Sequence, residues 1–96
     1  MLNEMDAETQ QEKKPIKLSD HAKSYCIDRG FSENEVVEAI QSGNWRAADR
    51  GRFECRKEFP YKMKWNGNYY ETKAVKPIFV DEDHEIVVVT VYTFFY

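Results

Sequence analysis

Apolar and polar positions follow two different repeats along this chain. Around residues 36–40 the apolar side chains recur at the spacing of an amphipathic helix, whereas from residue 52 onward they alternate with polar ones. Such alternation is typical of a strand with one buried face. Helical signals thus come first and strand signals follow. This order predicts an α+β domain in which a layer of helices packs on a sheet.

Two helices are predicted near the N-terminus. Ser19 can cap a helix over residues 20–29, and Gly30 can then take the left-handed conformation that ends it. Ser32 and Glu35 stand at the two positions of a capping box, which starts a second helix. Both helices are short, and each has its own start signal.

Four strands are predicted after the helices. Residues 52–59 alternate as a half-buried strand that Pro60 bends or places at an edge. The dipeptide Asn66-Gly67 between two alternating runs predicts a hairpin. Residues 86–96 are apolar on both faces and are predicted to form a central strand. The expected fold class is α+β, with two N-terminal helices packed on one face of a four-stranded, mostly antiparallel sheet.

The hairpin turns predict which side chains share a face of this sheet. A two-residue turn pairs Lys64 with Tyr69, and a four-residue loop at 81–84 pairs Lys73 with Tyr92. In this register the side chains that face the helices are Val87, Val89 and Val91; the alternative is a bulge at Pro77 that reverses the pairing. The opposite face then holds cations and hydroxyl-bearing side chains, namely Lys62, Lys64, Lys73, Tyr69, Thr90 and Tyr92, with Arg52 and Arg56 nearby.

Length and composition indicate one small domain without a membrane segment. The 96 residues suffice for one core, and residues 1–15 form a polar, acid-rich stretch that predicts a disordered tail. No apolar run is long enough to span a bilayer, and no basic-then-apolar signal opens the chain. The expected compartment is the cytoplasm, where Cys26 and Cys55 would be reduced thiols, although a single disulfide is the alternative.

Charge is distributed unevenly along the chain. The net charge of −3 argues against a generally basic surface for nucleic acid. Residues 46–64, however, carry seven arginines and lysines against three acidic residues, which predicts a local basic patch. Cations bind phosphates, and aromatic rings stack on unpaired bases, so this patch is a candidate RNA surface. The alternative is the ordinary solvated side of a sheet.

The first helix carries a polar row that a core helix would not have. His21, Tyr25 and Arg29 recur at four-residue intervals and therefore lie on one face. This row is either solvated or part of a site. Histidine is the side-chain type that exchanges protons near neutral pH, which makes His21 a candidate acid or base. His84 lies among acidic residues, and we interpret that segment as a solvent-exposed turn between two strands. Neither a metal nor a cofactor is predicted for this chain.

Two short motifs resemble a family of small bacterial proteins catalogued as a domain of unknown function. The first is "HAKSYCIDRG", a helix that opens with His-Ala and closes with Arg-Gly, and the second is the strand "VVVTVY". The family is grouped with the barnase–EndoU–colicin–RelE ribonuclease fold. The resemblance implies a single RelE-like domain over residues 16–96 that cleaves RNA without metal, often as a toxin held by an antitoxin. Where the family often has an arginine, this chain has Tyr25.

Metal-free RNA cleavage assigns candidate roles to these residues. The reaction needs a base for the 2′-hydroxyl, cations on the phosphate and a proton donor for the leaving 5′-oxygen. The candidate catalytic residues are His21, Lys73, Thr90 and Tyr92. The candidate RNA- and phosphate-binding residues are Tyr25, Arg29, Arg52, Arg56, Lys62, Lys64 and Tyr69. RNA is the expected partner.

A non-catalytic interaction module is the alternative function. The C-terminal segment "VYTFFY" would offer an aromatic strand edge to a protein partner, such as an antitoxin, or to a second copy of the chain in a homodimer.

Overall fold

The computed structural model describes residues 14–96. The predicted disordered tail over 1–15 therefore lies outside the described residues except for its last two. Lys14 Nζ lies 2.8 Å from a carboxylate oxygen of Asp81, and the carbonyl of Pro15 accepts a hydrogen bond from the N–H of Ile86. The chain thus joins the sheet from residue 14 onward.

The described chain forms short helices and strands of very unequal length. In chain order they are β1 (Ile16–Leu18), α1 (Asp20–Ser24), α2 (Cys26–Arg29), α3 (Glu33–Ser42), β2 (Arg46–Ala47), β3 (Phe53–Glu54), β4 (Lys57–Trp65), β5 (Asn68–Asp81) and β6 (Ile86–Phe95). A single 3₁₀ turn, Asp49–Gly51, separates β2 from β3.

Within residues 14–96 the sheet has six strands and is mixed. Its order is β1-β6-β5-β3-β2, and β4 also pairs with β5. β1 runs parallel to β6, and the other pairs are antiparallel. β6 has neighbours on both sides only over Ile86–Val88, so β5 is the central strand.

The predicted fold class, two N-terminal helices on a four-stranded sheet, is wrong. The described chain has three helices and six strands. β1 and β2 were missed because strands of three and two residues are too short to show alternation. The run over 52–59 is divided between β3 and β4 at Cys55, and the first helix is divided at Tyr25. Pro60 does lie in an edge strand, since β4 pairs with β5 alone.

The predicted helix signals are confirmed. Ser19 caps α1, and the Ser32 hydroxyl accepts a hydrogen bond from the N–H of Glu35 while the Glu35 carboxylate accepts one from the N–H of Ser32. Gly30 ends α2 with φ of 75°, a left-handed value that glycine adopts without steric cost. These caps fix where each helix meets the sheet.

The core lies between the helices and one face of the sheet. α3 contributes Val36, Ala39 and Ile40, and the central strands contribute Phe79 and Val88, all nearly inaccessible to solvent. The remaining members of the cluster are Leu18, Ala22, Phe31, Cys55, Val75, Ile86 and Val91. This single core leaves the other face of the sheet uncovered.

A bulge in β4 changes part of the predicted hairpin register. Lys64 pairs with Tyr69, as predicted, at the Asn66-Gly67 turn. The register then shifts between Pro60 and Met63, where Lys62 has φ of 52°. The bulge adds a residue to one strand, so the predicted pairing does not continue past it.

A second bulge, in β6, overturns the predicted register with β5. Tyr92 pairs with Lys76 rather than Lys73, and the register shifts beside Val89. Val88 and Val91 are consequently buried in the core. The prediction that Val87, Val89 and Val91 all face the helices is therefore wrong for the first two, because one extra residue reverses the alternation.

Candidate functional site

The first helices pass along an unpaired edge of β6. β1 covers β6 only as far as Val88, and within the described chain no strand pairs with that side of β6 beyond it. Arg29, the last residue of α2, fills this position. Its Nη1 donates a 2.8 Å hydrogen bond to the carbonyl of Val91 and a 3.2 Å bond to the hydroxyl of Thr90. Arg29 thus connects the helical row to the uncovered face of the sheet.

An open groove of about 490 Å³ lies where these elements meet, and we call it the edge groove. It is lined by Ser19, His21, Arg29, Arg52, Val89, Thr90 and Tyr92. These described lining residues include two arginines and no carboxylate. The edge groove therefore presents positive charge and hydroxyl groups to a ligand, a combination that suits an anion.

A second, smaller depression of about 380 Å³ continues the edge groove across the sheet. The two share Arg52, Thr90 and Tyr92, and the charged residues that the depression adds are Lys76, Glu54 and Asp49. Lys76 Nζ lies 3.7 Å from the Glu54 carboxylate, so its charge is partly balanced. The positive potential is therefore greatest at the edge-groove end.

The bulge in β6 explains why the edge groove has its hydroxyl groups. Val88 and Val91 point into the core, and the two residues between them, Val89 and Thr90, both line the edge groove. Tyr92 follows on the same side. Bulges re-aim side chains in this way, and they are over-represented next to active sites.

Aromatic rings hold the Arg29 guanidinium in place. Its Cζ lies 3.9 Å from the centroid of the Tyr25 ring and 5.3 Å from that of Tyr92. His21 in turn contacts Tyr25 edge-on, with ring centroids 4.9 Å apart. Among residues 14–96 only Nη1 of Arg29 makes hydrogen bonds to the protein, which leaves the donors on Nε and Nη2 for a ligand.

Six of the sequence-predicted residues are brought together here, and they come from both the helix row and the sheet. They are His21, Tyr25, Arg29, Arg52, Thr90 and Tyr92. The sequence alone left open whether the helix row and the basic sheet face form one site, since they could converge only at the edge of the sheet. They meet because β1 leaves the end of β6 unpaired.

Lys73 is placed elsewhere. It is only 8% exposed, and its Nζ lies 3.0 Å from the carbonyl oxygen of Gly30 and 2.8 Å from the Glu35 carboxylate. It therefore connects α2 and α3 to the sheet on the core side. This position follows from the true register, in which Lys73 pairs with Phe95.

The other residues predicted to bind RNA or phosphate also lie outside the edge groove. Lys62, Lys64 and Tyr69 are exposed on the β4–β5 hairpin. Arg56 binds Glu58 at 3.1 Å and the Tyr96 hydroxyl at 3.2 Å, further along the uncovered face. These residues form no single patch with Arg29.

Sequence reasoning missed Lys76 as a groove residue. It lies opposite Tyr92 in β5 and lines the sheet depression. The alternation of Ala74, Lys76 and Ile78 did indicate that these three side chains share one face of β5. The predicted register, however, placed Lys73 opposite Tyr92, where the structure has Lys76.

Three further sequence features have plain structural outcomes. Cys26 and Cys55 are both free thiols, and burial raises the pKa of Cys55 to about 11. In the described residues no three His, Cys, Asp or Glu side chains gather as metal ligands, and His84 lies in an exposed turn. None of the described helices has the length and apolar character needed to cross a membrane.

Comparison with family models, with curated proteins and with solved structures gives no match for this chain. The resemblance to the ribonuclease-fold family therefore rests on the two sequence motifs alone. Any functional conclusion must come from the edge groove itself. Its lining has two features to explain: two arginines without a carboxylate, and a histidine in the same groove as the hydroxyl groups of Ser19, Thr90 and Tyr92.

Proposed function

We propose that this protein binds RNA in the edge groove and cleaves it without metal, by attack of the 2′-hydroxyl on the adjacent phosphate. The single observation that carries the proposal is the convergence of Arg29 and Arg52 with His21, Thr90 and Tyr92 in one groove. Together they supply the three functions that the reaction requires.

Phosphate binding falls to the two arginines. A guanidinium group donates two parallel hydrogen bonds to a phosphate, which fixes its orientation as well as its position. Arg29 is already held by the carbonyl of Val91 and by the rings of Tyr25 and Tyr92. Little side-chain freedom remains to be lost on binding, so this contact is pre-organised.

Proton transfer falls to His21 and Tyr92. His21 accepts the proton of the 2′-hydroxyl as its oxygen forms a bond to phosphorus. The bond from phosphorus to the 5′-oxygen then breaks, and that oxygen leaves with a proton from the Tyr92 hydroxyl. The products are a 2′,3′-cyclic phosphate and a 5′-hydroxyl. The Thr90 hydroxyl accepts a hydrogen bond from Arg29. Its own proton is then donated to a phosphate oxygen of the RNA.

The test is cleavage of a mixed-sequence RNA in excess EDTA. We expect cleavage that leaves cyclic-phosphate ends and falls about 10²–10⁴-fold in His21→Ala, the usual contribution of a general acid or base. His84→Ala is the matched control, because His84 is the chain's other histidine and lies in an exposed turn. Equal activity in wild type and His21→Ala would contradict the assigned role. RNA binding without any cleavage would support the binding part of the proposal and contradict the catalytic part.

A protein partner is the second candidate, favoured by the unpaired side of β6 beyond Val88. Among the described residues no strand covers this edge, and such an edge accepts an added strand from an antitoxin or another copy. Salt separates the two candidates. Phosphate binding weakens steeply as salt rises, whereas apolar strand pairing does not.

A further inference from the structure

We propose that the uncovered face of β6 binds single-stranded RNA next to the edge groove, with successive bases stacked on Tyr92, Phe94 and Tyr96. We call these three side chains the aromatic row. The inference rests on the proposed function, since it assigns the nucleotides that continue the strand beyond the two that flank the cleaved phosphate. It adds a substrate class, unpaired RNA, and a surface that selects it.

The aromatic row is exposed and regularly spaced. The exposed fractions of Tyr92, Phe94 and Tyr96 are 45%, 45% and 50%. They alternate along one strand and therefore stand on one face. Ala74 lies opposite Phe94 in β5, so no large neighbour covers that ring from the adjoining strand.

The spacing of the rings favours an unpaired strand. Residues two apart in a strand are separated by about 6.6–6.8 Å. Bases in a duplex follow one another at roughly 3.4 Å per strand, which is half that distance. A base can therefore stack on each ring only if the bases have been separated from one another. A duplex cannot meet this condition, but a single strand can.

Cations accompany the rings along the row. The Arg29 guanidinium lies 5.3 Å from the Tyr92 centroid, and the Arg56 guanidinium lies 5.9 Å from Phe94 and 5.8 Å from Tyr96. Lys76 lies opposite Tyr92. Two carboxylates near this row are engaged by cations: Glu58 binds Arg56 and Tyr96, and Glu54 binds Arg46 and Lys76. A third, Asp49, lines the sheet depression beside Arg52. Rings and cations together match the bases and phosphates of RNA.

These charges argue against a second copy of the chain as the occupant. In a two-fold dimer the same patch meets itself. Within the described chain Arg29 and Arg52 have no carboxylate partner, unlike Arg56 and Lys76, so this end of the face would meet its own uncompensated positive charge. Juxtaposed like charges oppose association. An RNA strand instead brings a negative charge with every nucleotide. Charge complementarity thus selects RNA for this face.

The test measures binding of a fluorescein-labelled ten-nucleotide oligouridylate by anisotropy at low salt. We expect Phe94→Ala to raise Kd about 5- to 150-fold, the range that follows from loss of one base–aromatic stack. Met63→Ala is the matched control, because Met63 is a similarly exposed apolar side chain on the hairpin and has no assigned role in RNA binding. Phe94→Leu retains an apolar side chain without a ring, and its Kd should also rise. A blunt duplex should bind more weakly and be unaffected by Phe94→Ala.

Cleavage of a dinucleotide separates this inference from the proposed function, because a dinucleotide occupies the edge groove and does not reach Phe94. Dinucleotide cleavage equal in wild type and Phe94→Ala, with oligouridylate binding weakened, supports both. Cleavage with Phe94-independent binding overturns the aromatic row alone. Phe94-dependent binding without cleavage overturns catalysis alone. If Phe94→Ala instead converts a dimer to a monomer in sedimentation velocity, the row is an interface between copies and the inference fails.

Discussion

Replacement of Lys73 by alanine tests whether this lysine stabilises the fold or acts in catalysis. Its Nζ lies between the carbonyl oxygen of Gly30 and the carboxylate of Glu35, at 3.0 and 2.8 Å. Alanine leaves that carbonyl without its donor and that carboxylate without its counter-ion. Both groups are at the joint between the helices and the sheet, away from the edge groove.

The size of the effect follows from the burial of the pair. Removing one partner of a fully buried ion pair costs about 3–5 kcal/mol. The Glu35 side chain is 23% exposed and keeps its hydrogen bond from the N–H of Ser32, so part of that cost is recovered. We therefore expect a loss of about 2–3 kcal/mol in the free energy of unfolding. For a domain of this size the melting temperature should fall by roughly 8–20 °C.

Thermal unfolding followed by circular dichroism at pH 7 measures this loss. Lys64→Ala is the control, since Lys64 is exposed on the hairpin and its loss should change stability by no more than about 0.5 kcal/mol. Lys73→Met retains most of the aliphatic stem and tests whether the charge itself is needed. A Lys73→Ala protein with unchanged melting temperature and abolished RNA cleavage would refute this reasoning and return Lys73 to catalysis.

Two further predictions concern packing and thiol chemistry. Gly30→Ala should lower the free energy of unfolding by about 2–4 kcal/mol, because φ is +75° and an added Cβ would lie 2.8 Å from the Trp65 ring. Urea unfolding measures this loss, and an unchanged unfolding midpoint would contradict the prediction. Iodoacetamide at pH 8 should label Cys26 well before Cys55, because burial raises the pKa of the Cys55 thiol to about 11. Equal labelling rates of the two thiols, measured by mass spectrometry, would contradict this prediction. Since the folded pKa of Cys55 exceeds the value of 9.0 for a free thiol, its contribution to stability is complete below pH 9 and is lost as pH rises through 11.

Local features of the fold were predictable because their causes lie within a few residues. Asn66 and Gly67 have φ of 52° and 87°, the paired positive values of the turn that joins two adjacent strands with matching twist. The capping box of α3 needs only Ser32 and Glu35. In both cases the side chains act on backbone groups next to them, so no knowledge of the rest of the chain is needed.

Non-local features were not predictable in the same way. β1 is held by pairing with β6, far away in sequence, and its three residues carry no alternation of their own. The bulge in β4 places Lys62 at φ of 52°, although lysine has no preference for that conformation. Neither event leaves a mark in the local pattern, yet each changes which side chains share a face.

The candidate site shows the same division. His21 and Arg29 could be identified from the helical repeat, and Thr90 and Tyr92 from the strand motif. That these four residues line one groove depends on where β1 ends and on the bulge beside Val89. The sequence thus indicated the components of the site, while long-range pairing decided their arrangement.

Tyr25 illustrates how this arrangement changes the meaning of a residue. At a position where the resemblance leads one to expect an arginine, the ring lies 3.9 Å from the Arg29 guanidinium and also contacts His21. A second arginine there would repel Arg29 at close range, whereas the aromatic face attracts it. The chain has therefore one fewer cation but holds the remaining one in a defined orientation. A phosphate is recognised through directed hydrogen bonds, so under the proposed function we expect the ordered Arg29, together with Arg52, to be enough to position it.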